Sequence, residues 1–283
     1  MQRYVNFFTD FGFKRLFGSE PAKECLIDFL NELLKDEEEP IKELTYMRTE
    51  HLGASELDRH AVFDIYCENE KGEKFIVELQ KAKQKFFKDR SVFYATFPIQ
   101  EQAQKGDWDF RLKAVYTIGI LDFVFDEDAE ETEKFMYTVK LTDQETHRVF
   151  YDKLTFIYLE MPKFNKTEDE LETHFDKWLF AIRNLARLDD VPAALREAVF
   201  NRFFEMAEIA QFDPEERDAY EQSLKYYRDI NNVIANAHEE GYEKAMGEAT
   251  QKLQMAAAKM EKMIEMLKQA GFSDEEIRRH LEE

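Results

Sequence analysis

The chain has 283 residues, of which 44% are hydrophobic, and it contains only 9 Gly and 6 Pro, a composition that favours a folded, helix-rich globular protein and excludes a disordered or fibrous one. The first residues lack the uninterrupted apolar stretch and small-residue cleavage site of a signal peptide, and no apolar run reaches the roughly 18 to 20 residues that span a bilayer. The two cysteines offer no disulfide framework, so we expect a cytoplasmic protein without membrane contact. The net charge of −21 opposes nucleic-acid binding. Residues 1–125 hold 18 Lys and Arg against 23 Asp and Glu, whereas the remainder of the chain holds 21 against 37. Most of the excess negative charge therefore lies outside the first 125 residues.

The first predicted helix follows the opening segment FTDFGFKRLFG. Ser19 can cap this helix, Pro21 suits its first turn, and apolar residues then recur at helical spacing until about Lys35. An acidic turn leads on to TYMRTEHL, which is a candidate strand.

The clearest local pattern is a β-hairpin, in which AVFDIYCENE and FIVELQKAK flank the turn KGEK. Period-two alternation places Asp64 and Tyr66 on one face of the first strand, and Glu78 and Gln80 on one face of the second. Two carboxylates borne by neighbouring strands can therefore point the same way.

A helix is predicted from about Asp89 to Lys105, although Pro98 should kink or divide it. The apolar, β-branched segment KAVYTIGILDFVF predicts a strand covered on both faces, and MYTVKLTD and LTFIYLEMPKF are further strand candidates. Together these elements indicate an α/β fold with a central sheet.

From Thr167 onward the pattern is helical. A long helix from about Glu239 to Ala270 could form a homodimer as a coiled coil, and Ser273 opens a short terminal helix. The apolar stripe of the long helix comprises Leu253, Met260, Ile264 and Leu267. We therefore predict a core domain in residues 1–165, a helical extension in 166–236, and an oligomerisation element in 237–283.

The hairpin carboxylates suit a hard divalent ion. Asp64 and Glu78, with the backbone carbonyl of Leu79, would supply oxygen ligands to Mg²⁺ or Mn²⁺ and leave positions for water and a phosphate oxygen. Gln80 could orient the water or bind the phosphate, but an amide cannot neutralise developing negative charge, so a nearby cation must help. The candidate cations are Lys14, Lys81, Lys83 and Arg90. The opposing interpretation is that these carboxylates only keep an edge hairpin soluble.

Four segments in order resemble the recombination-promoting nucleases, a bacterial family also described as PD-(D/E)XK nuclease family transposases. FTDFGFKRLFG is similar to its D-x-x-FK-x-LF opening, and FDIYCENEKGEKFIVELQ to its segment ending in E-x-Q. RSVFYA is similar to its R-x-x-x-Y helix, and KAVYTIGILDF to its Y-x-I-x-IL-(D/N)-F strand. The resemblance implies a restriction-endonuclease-like core, with a mixed central sheet flanked by helices and a helical C-terminal region.

The resemblance also implies roles for individual residues. Asp64, Glu78 and Gln80 would be catalytic, with Gln80 where most of the superfamily has Lys. Asp10 and Lys14 match the opening motif and would join the site, unless they are only a helix-start carboxylate and a surface lysine. The residues implied to bind substrate are Arg90 and Tyr94 of the helix motif, which could instead brace the helix, together with Lys81 and Lys83.

The leading hypothesis is a Mg²⁺-dependent deoxyribonuclease that cuts DNA internally and is linked to recombination or mobile elements. The alternative is a catalytically silent nuclease fold that serves as an interaction module, which the acidic charge and the missing Lys favour. A third hypothesis is regulatory: the acidic helical half would occupy the basic groove of the core until nucleic acid or a protein displaces it.

Overall fold

The computed structural model describes residues 2–51, 61–103 and 109–269. The α-helices in these ranges are α1 (Asp10–Phe17), α2 (Lys23–Leu33), α3 (Phe87–Glu101), α4 (His174–Asn184), α5 (Ala198–Ala207) and α6 (Pro214–Gln269). The strands are β1 (Leu44–Tyr46), β2 (Glu50–His51), β3 (Ala61–Val62), β4 (Ile65–Asn69), β5 (Lys74–Gln80), β6 (Val115–Leu121), β7 (Met136–Thr142) and β8 (Val149–Glu160).

The central sheet is mixed and has the strand order β1-β4-β5-β6-β8-β7, while β2 and β3 pair separately. Strands β5, β6 and β8 are parallel, and the pairs β1/β4, β4/β5 and β7/β8 are antiparallel. The predicted hairpin is confirmed as β4 and β5. Its turn needs Gly72, whose φ of 81° is a left-handed conformation that side chains with a Cβ rarely adopt.

Helices cover both faces of the sheet, as the α/β prediction requires. On one face, alternate residues of β5 and β6 join a core with the apolar sides of α1, α2, α4 and α5. Trp178 is fully buried at its centre, and its indole N–H donates a hydrogen bond to Asp28 Oδ1 at 2.6 Å. On the other face, α3 packs through Phe87 and Ala95. Every residue of β6 is buried, so the prediction of a doubly covered strand is confirmed.

The opening segment differs from the prediction because it contains a helix of its own. Thr9 caps α1 by accepting a hydrogen bond from the Gly12 N–H at 3.0 Å. Ser19 makes no capping bond, since its hydroxyl donates to the Arg15 carbonyl at 3.0 Å. The helix predicted after this segment is confirmed as α2, and only its place as the first helix was wrong, because α1 precedes it.

Helix α3 is not divided at Pro98, contrary to one of the two predicted outcomes. Proline removes one N–H near the C-terminal end of the helix, so only the carbonyl four residues earlier loses its donor. The helix begins two residues before the predicted start, and the predicted end at Lys105 lies outside the described residues. The candidate strand TYMRTEHL is divided between β1 and β2.

The helical half forms parts of two compact units, Met1–Arg228 and Asp229–Glu283. The first turns of α6 belong to the first unit, where the Tyr220 hydroxyl accepts a hydrogen bond from the Asn6 N–H at 2.9 Å. The three-part division at residues 165 and 236 stays a prediction, and the predicted terminal helix from Ser273 lies outside the described residues. Within the described ranges, no helix combines the length and apolar character that crossing a membrane requires.

Replacing Gly119 of β6 by Ala is expected to lower the free energy of unfolding by about 1–2 kcal/mol. A Cβ there would lie 3.1 Å from Tyr158 Cδ1 and 3.4 Å from Phe87 Cζ, so the packing of α3 on the sheet would have to shift. Denaturant unfolding measures the change. Gly241→Ala is the matched control, because a Cβ at Gly241 meets nothing within 4 Å, and equal losses in both variants would contradict this packing argument.

Candidate active site

The register of the β4/β5 hairpin brings two predicted carboxylates together. Ile65 pairs with Val77 and Tyr66 pairs with Ile76, so the next pair, just beyond the start of β4, places Asp64 opposite Glu78. Directly opposite residues of an antiparallel pair share a face of the sheet and bring their side chains within contact distance. The carboxylates therefore lie side by side on the sheet face that α3 covers.

Backbone and amide donors hold these carboxylates. The Leu79 N–H donates to Asp64 Oδ2 at 2.8 Å, and the Asp64 N–H donates to Glu78 Oε1 at 3.2 Å. The side chain of Gln80 also hydrogen-bonds to Glu78. Glu78 and Gln80 are only 6% and 8% exposed, so this network is largely shielded from solvent.

The pKa of Glu78 is raised to about 8, chiefly by burial and then by the negative charge of Asp64. Hydrogen bonds from the Asp64 backbone and from Gln80, and the charge of Arg90, oppose this rise only in part. Burial likewise raises the pKa of Asp64, against the hydrogen bond from the Leu79 N–H. The pair thus concentrates more negative charge than its surroundings neutralise.

Helix α1 and the residue after β5 border Asp64 with charged groups. Lys14 Nζ lies 3.2 Å from Asp10 Oδ1, one helical turn away. Asp10 raises the pKa of Asp64, whereas Lys14 and Lys81 lower it. Burial lowers the pKa of Lys81, and the charges of Asp10 and Asp64 act against that change. The structure therefore places Asp10, Lys14 and Lys81 around Asp64.

Helix α3 brings Arg90 and Tyr94 to the other side of the pair. The Arg90 guanidinium carbon lies 5.6 Å from the centre of the Tyr94 ring and 5.4 Å from that of Phe87. Its charge lowers the pKa of Glu78, which places it within electrostatic reach of that carboxylate. Arg90 Nη2 is buried and has no hydrogen-bond acceptor among the described residues.

Lys83 occupies a different environment from the other predicted cations. It forms an ion pair with Asp126, in the acidic segment that follows β6. Both side chains are substantially exposed, at 40% for Lys83 and 88% for Asp126. Its charge is thus already engaged, unlike that of Lys81.

The structure adds three residues that the sequence did not single out for this site. The Asp122 N–H donates to the Gln80 carbonyl at 2.8 Å, and the Tyr227 hydroxyl donates to Asp122 Oδ2 at 2.7 Å. Lys81 Nζ lies 5.5 Å from the centre of the Tyr226 ring. Asp122 stands in the motif IL-(D/N)-F, but both tyrosines lie in a polar helix far along the chain, so only the tertiary fold reveals their position.

The donor set at the hairpin fits a divalent metal ion. Mg²⁺ is commonly held by one or two carboxylates and keeps several waters. Within the described residues no three acidic, histidine or cysteine side chains converge, so a metal ion at the hairpin would depend on Asp64 and Glu78 with a backbone group. In a strand the N–H and C=O of one residue point to the same side, so the Leu79 carbonyl faces the side occupied by Asp64. A divalent cation would stabilise the charged form of both carboxylates, against the burial that raises their pKa values.

The comparison with protein families agrees with this geometry. The model of the family described as PD-(D/E)XK nuclease family transposase matches residues 7–237. No curated protein and no solved structure gives a significant match to the chain. The family match extends well beyond the 120 or so residues that contain the four motifs, and it includes the first turns of α6.

Proposed function

This chain belongs to the PD-(D/E)XK nuclease family of transposases, and from that premise we propose that it is a metal-dependent deoxyribonuclease that hydrolyses internal phosphodiester bonds of DNA. The observation that carries the proposal is the contact between Asp64 and Glu78, two largely shielded carboxylates without sufficient positive charge around them. Two carboxylates that only keep an edge hairpin soluble would face solvent. They would not be buried, because removing a charged carboxylate from water costs free energy.

Asp64, Glu78 and the Leu79 carbonyl would hold Mg²⁺ or Mn²⁺. When bound, the ion supplies positive charge to the phosphodiester and makes water more acidic. The hydrogen bonds from the Leu79 and Asp64 backbones fix the orientation of both carboxylates before any ligand arrives. This preorganisation is what an active site needs, because the groups do not have to reorganise during the reaction.

The remaining residues act by position and charge. Gln80 donates a hydrogen bond to Glu78, and its amide oxygen can accept a hydrogen bond from the attacking water and so orient it. Lys81 and Lys14 supply the positive charge that the amide of Gln80 cannot. Arg90 and Tyr94 would contact the DNA backbone from the α3 side. Lys83 can do so only after a phosphate displaces Asp126 from its ion pair.

The apolar stripe of α6 supports a homodimer, in which two sites would cut two strands. Leu253 and Met260 of this stripe are 71% and 49% exposed. We place this activity in the cytoplasm.

Cleavage of a supercoiled plasmid tests the proposed function. Purified protein is expected to convert supercoiled DNA to the nicked or linear form with Mg²⁺ or Mn²⁺, and to leave it intact with EDTA. Cutting that persists in EDTA, or no cutting with either metal by folded protein, would contradict the proposal. Gel electrophoresis resolves the three DNA forms directly.

A second candidate is the catalytically silent interaction module. Two observations favour it. In the described part of the chain only two acidic side chains could hold a metal ion at the site, and Gln80 stands where most of the superfamily has Lys. Calorimetric titration with Mn²⁺ separates the two candidates. A folded protein that neither binds Mn²⁺ nor cuts DNA would be the silent module.

Replacing Gln80 by Ala is expected to lower the cleavage rate by about 10- to 100-fold, because water and Glu78 lose the amide that orients them. Initial rates of plasmid nicking at saturating metal measure the effect. Gln100→Ala is the matched control, since Gln100 lies exposed on α3. Similar rates for both variants would remove Gln80 from the site.

A further inference from the structure

A concave surface lies at the start of α3, the helix that covers the sheet face of the carboxylate pair. It encloses about 580 Å³, within the range of pockets that hold small organic groups. We name it the α3 pocket, and its lining residues are Gln84, Lys85, Phe86, Asp89, Arg90 and Phe93. Of these residues only Arg90 has a role in the proposed hydrolysis.

Two aromatic rings of the α3 pocket are exposed although the fold gains nothing from exposing them. Phe86 is 65% exposed and Phe93 is 44% exposed. Lys85 Nζ lies 5.4 Å from the centre of the Phe86 ring, and the edge of Phe93 packs against Phe97 at 5.2 Å between ring centres. An exposed ring beside a cation is the arrangement on which single-stranded nucleic-acid binding proteins stack bases.

The polar groups of the α3 pocket suit a base more than a phosphate. Asp89 is exposed at the pocket, where its carboxylate would repel a phosphate but can accept hydrogen bonds from the amino group of a base. Arg90 donates from Nη1 to the Gln84 side chain, while its Nη2 is buried and therefore out of reach of a base in the pocket. The exposed lining offers an acceptor, Asp89, and a donor, Lys85, to a base edge.

The charges around the α3 pocket also disfavour an extended binding surface for duplex DNA. Of the cations near the α3 pocket, Lys83 and Lys88 are engaged by Asp126 and Glu127. Lys85 and Arg90 of the lining remain, and two cations supply few of the phosphate contacts on whose number non-specific duplex binding depends. Stacking on the exposed rings must therefore supply a larger share of the affinity.

Arg90 connects the α3 pocket to the sheet face of the carboxylate pair, since it lines the pocket and its guanidinium carbon lies 5.6 Å from the centre of the Tyr94 ring. The Tyr94 ring in turn packs at 5.2 Å, between ring centres, on Phe63, the residue before Asp64. A base in the pocket would therefore lie on the α3 side of the carboxylate pair. Bases of an intact duplex are stacked and cannot enter such a pocket unless they are unpaired or flipped. We propose that the α3 pocket binds an unpaired nucleobase beside the cleavage position, so that the substrate class is DNA with unpaired nucleotides; this inference rests on the proposed nuclease function.

Binding in EDTA tests the inference without requiring cleavage. Fluorescence anisotropy would compare a labelled single strand, the same sequence as a duplex, and that duplex with one unpaired 2-aminopurine. We expect the unpaired substrates to bind about tenfold more tightly than the duplex, with a change in 2-aminopurine emission as the base stacks. Equal affinity for all three substrates would overturn the proposal.

Phe86→Ala and Phe86→Leu isolate the contribution of the ring. Both variants are expected to lose about tenfold in affinity for the unpaired substrates and to change duplex binding little, because Leu keeps apolar bulk but cannot stack. Phe150→Ala is the matched control, since Phe150 is 81% exposed on β8, and it should change neither affinity. Equal losses on paired and unpaired DNA, or unchanged affinity in both Phe86 variants, would overturn the proposal. Thermal unfolding confirms that each variant is folded.

The outcomes separate this inference from the proposed function. Selective binding of unpaired DNA by a protein that never cuts would support the α3 pocket and overturn the nuclease. Metal-dependent cutting with no preference for unpaired nucleotides, in binding or in rate, would support the nuclease and overturn the pocket.

Discussion

Replacing Asp64 by Asn is expected to lower metal-dependent nicking by about 1000-fold or more, a loss of about 4 kcal/mol in transition-state stabilisation. The amide oxygen of Asn can still accept the hydrogen bond that Asp64 Oδ2 receives from the Leu79 N–H at 2.8 Å. The hairpin should therefore keep its geometry while the site loses one of its two charged metal ligands. Plasmid nicking at several Mg²⁺ and Mn²⁺ concentrations measures the loss.

The matched control for Asp64→Asn is Asp152→Asn, which removes the same charge from an exposed position of β8. Its nicking rate should equal that of the original chain. A large loss in the control would mean that net charge rather than the site governs the rate. An Asp64→Asn protein that cuts normally would move the metal site away from the hairpin.

The contact between Asp64 and Glu78 could be predicted from sequence because it depends on a local pattern. Strand alternation and a short turn define the β4/β5 register, and the register decides which side chains meet. The Gln80 side chain follows from the same alternation, two residues beyond Glu78. The neighbouring apolar strand β6 was predictable for a related reason, since burial on both faces leaves a continuous apolar run.

The parts that escaped prediction depend on contacts between distant segments. The hydrogen bond from Tyr227 to Asp122 spans 105 positions, and the ion pair of Lys83 with Asp126 depends on where the acidic segment after β6 folds back. A helical or strand period contains no information about such pairings. The periodic signal was also insufficient for α1, whose Gly12 is close-packed: a Cβ there would lie 2.2 Å from the Asn6 carbonyl oxygen.

The acidic composition of the chain takes on a different meaning at the site. Most of the net charge lies outside the first 125 residues, where it does not contribute to the hairpin. Within the hairpin the relevant quantity is local: burial raises the pKa of both carboxylates, and the charge of Asp64 raises that of Glu78 further. Binding of a divalent ion or a phosphate at this site would therefore depend on a few close charges rather than on the total.

The affinity of the protein for Mn²⁺ is expected to rise by up to about tenfold per pH unit between roughly pH 6 and 8, and then to level off. The reason is that the pKa of Glu78 is raised to about 8, so the metal must displace a proton from that carboxyl at lower pH. Calorimetric titration across this range measures the change. In Glu78→Gln the dependence should be largely lost, together with cleavage, because Gln neither binds a proton nor supplies a charged ligand.

Stability without metal should change in the opposite direction. The pKa of Glu78 is raised in the folded protein, so over this pH range the folded state binds a proton that the unfolded state has released. The resulting stabilisation of the folded state is fully present below the ordinary carboxyl pKa and is lost as the pH rises towards 8. We expect the free energy of unfolding in EDTA to fall over this window by at most about 1.4 kcal/mol per pH unit from this group. Glu78→Gln should flatten that fall, whereas Glu130→Gln, at an exposed position, should not. A fall of equal slope in Glu78→Gln would show that the burial of Glu78 is not the source of the pH dependence, and the proton that metal displaces would then have to come from another group.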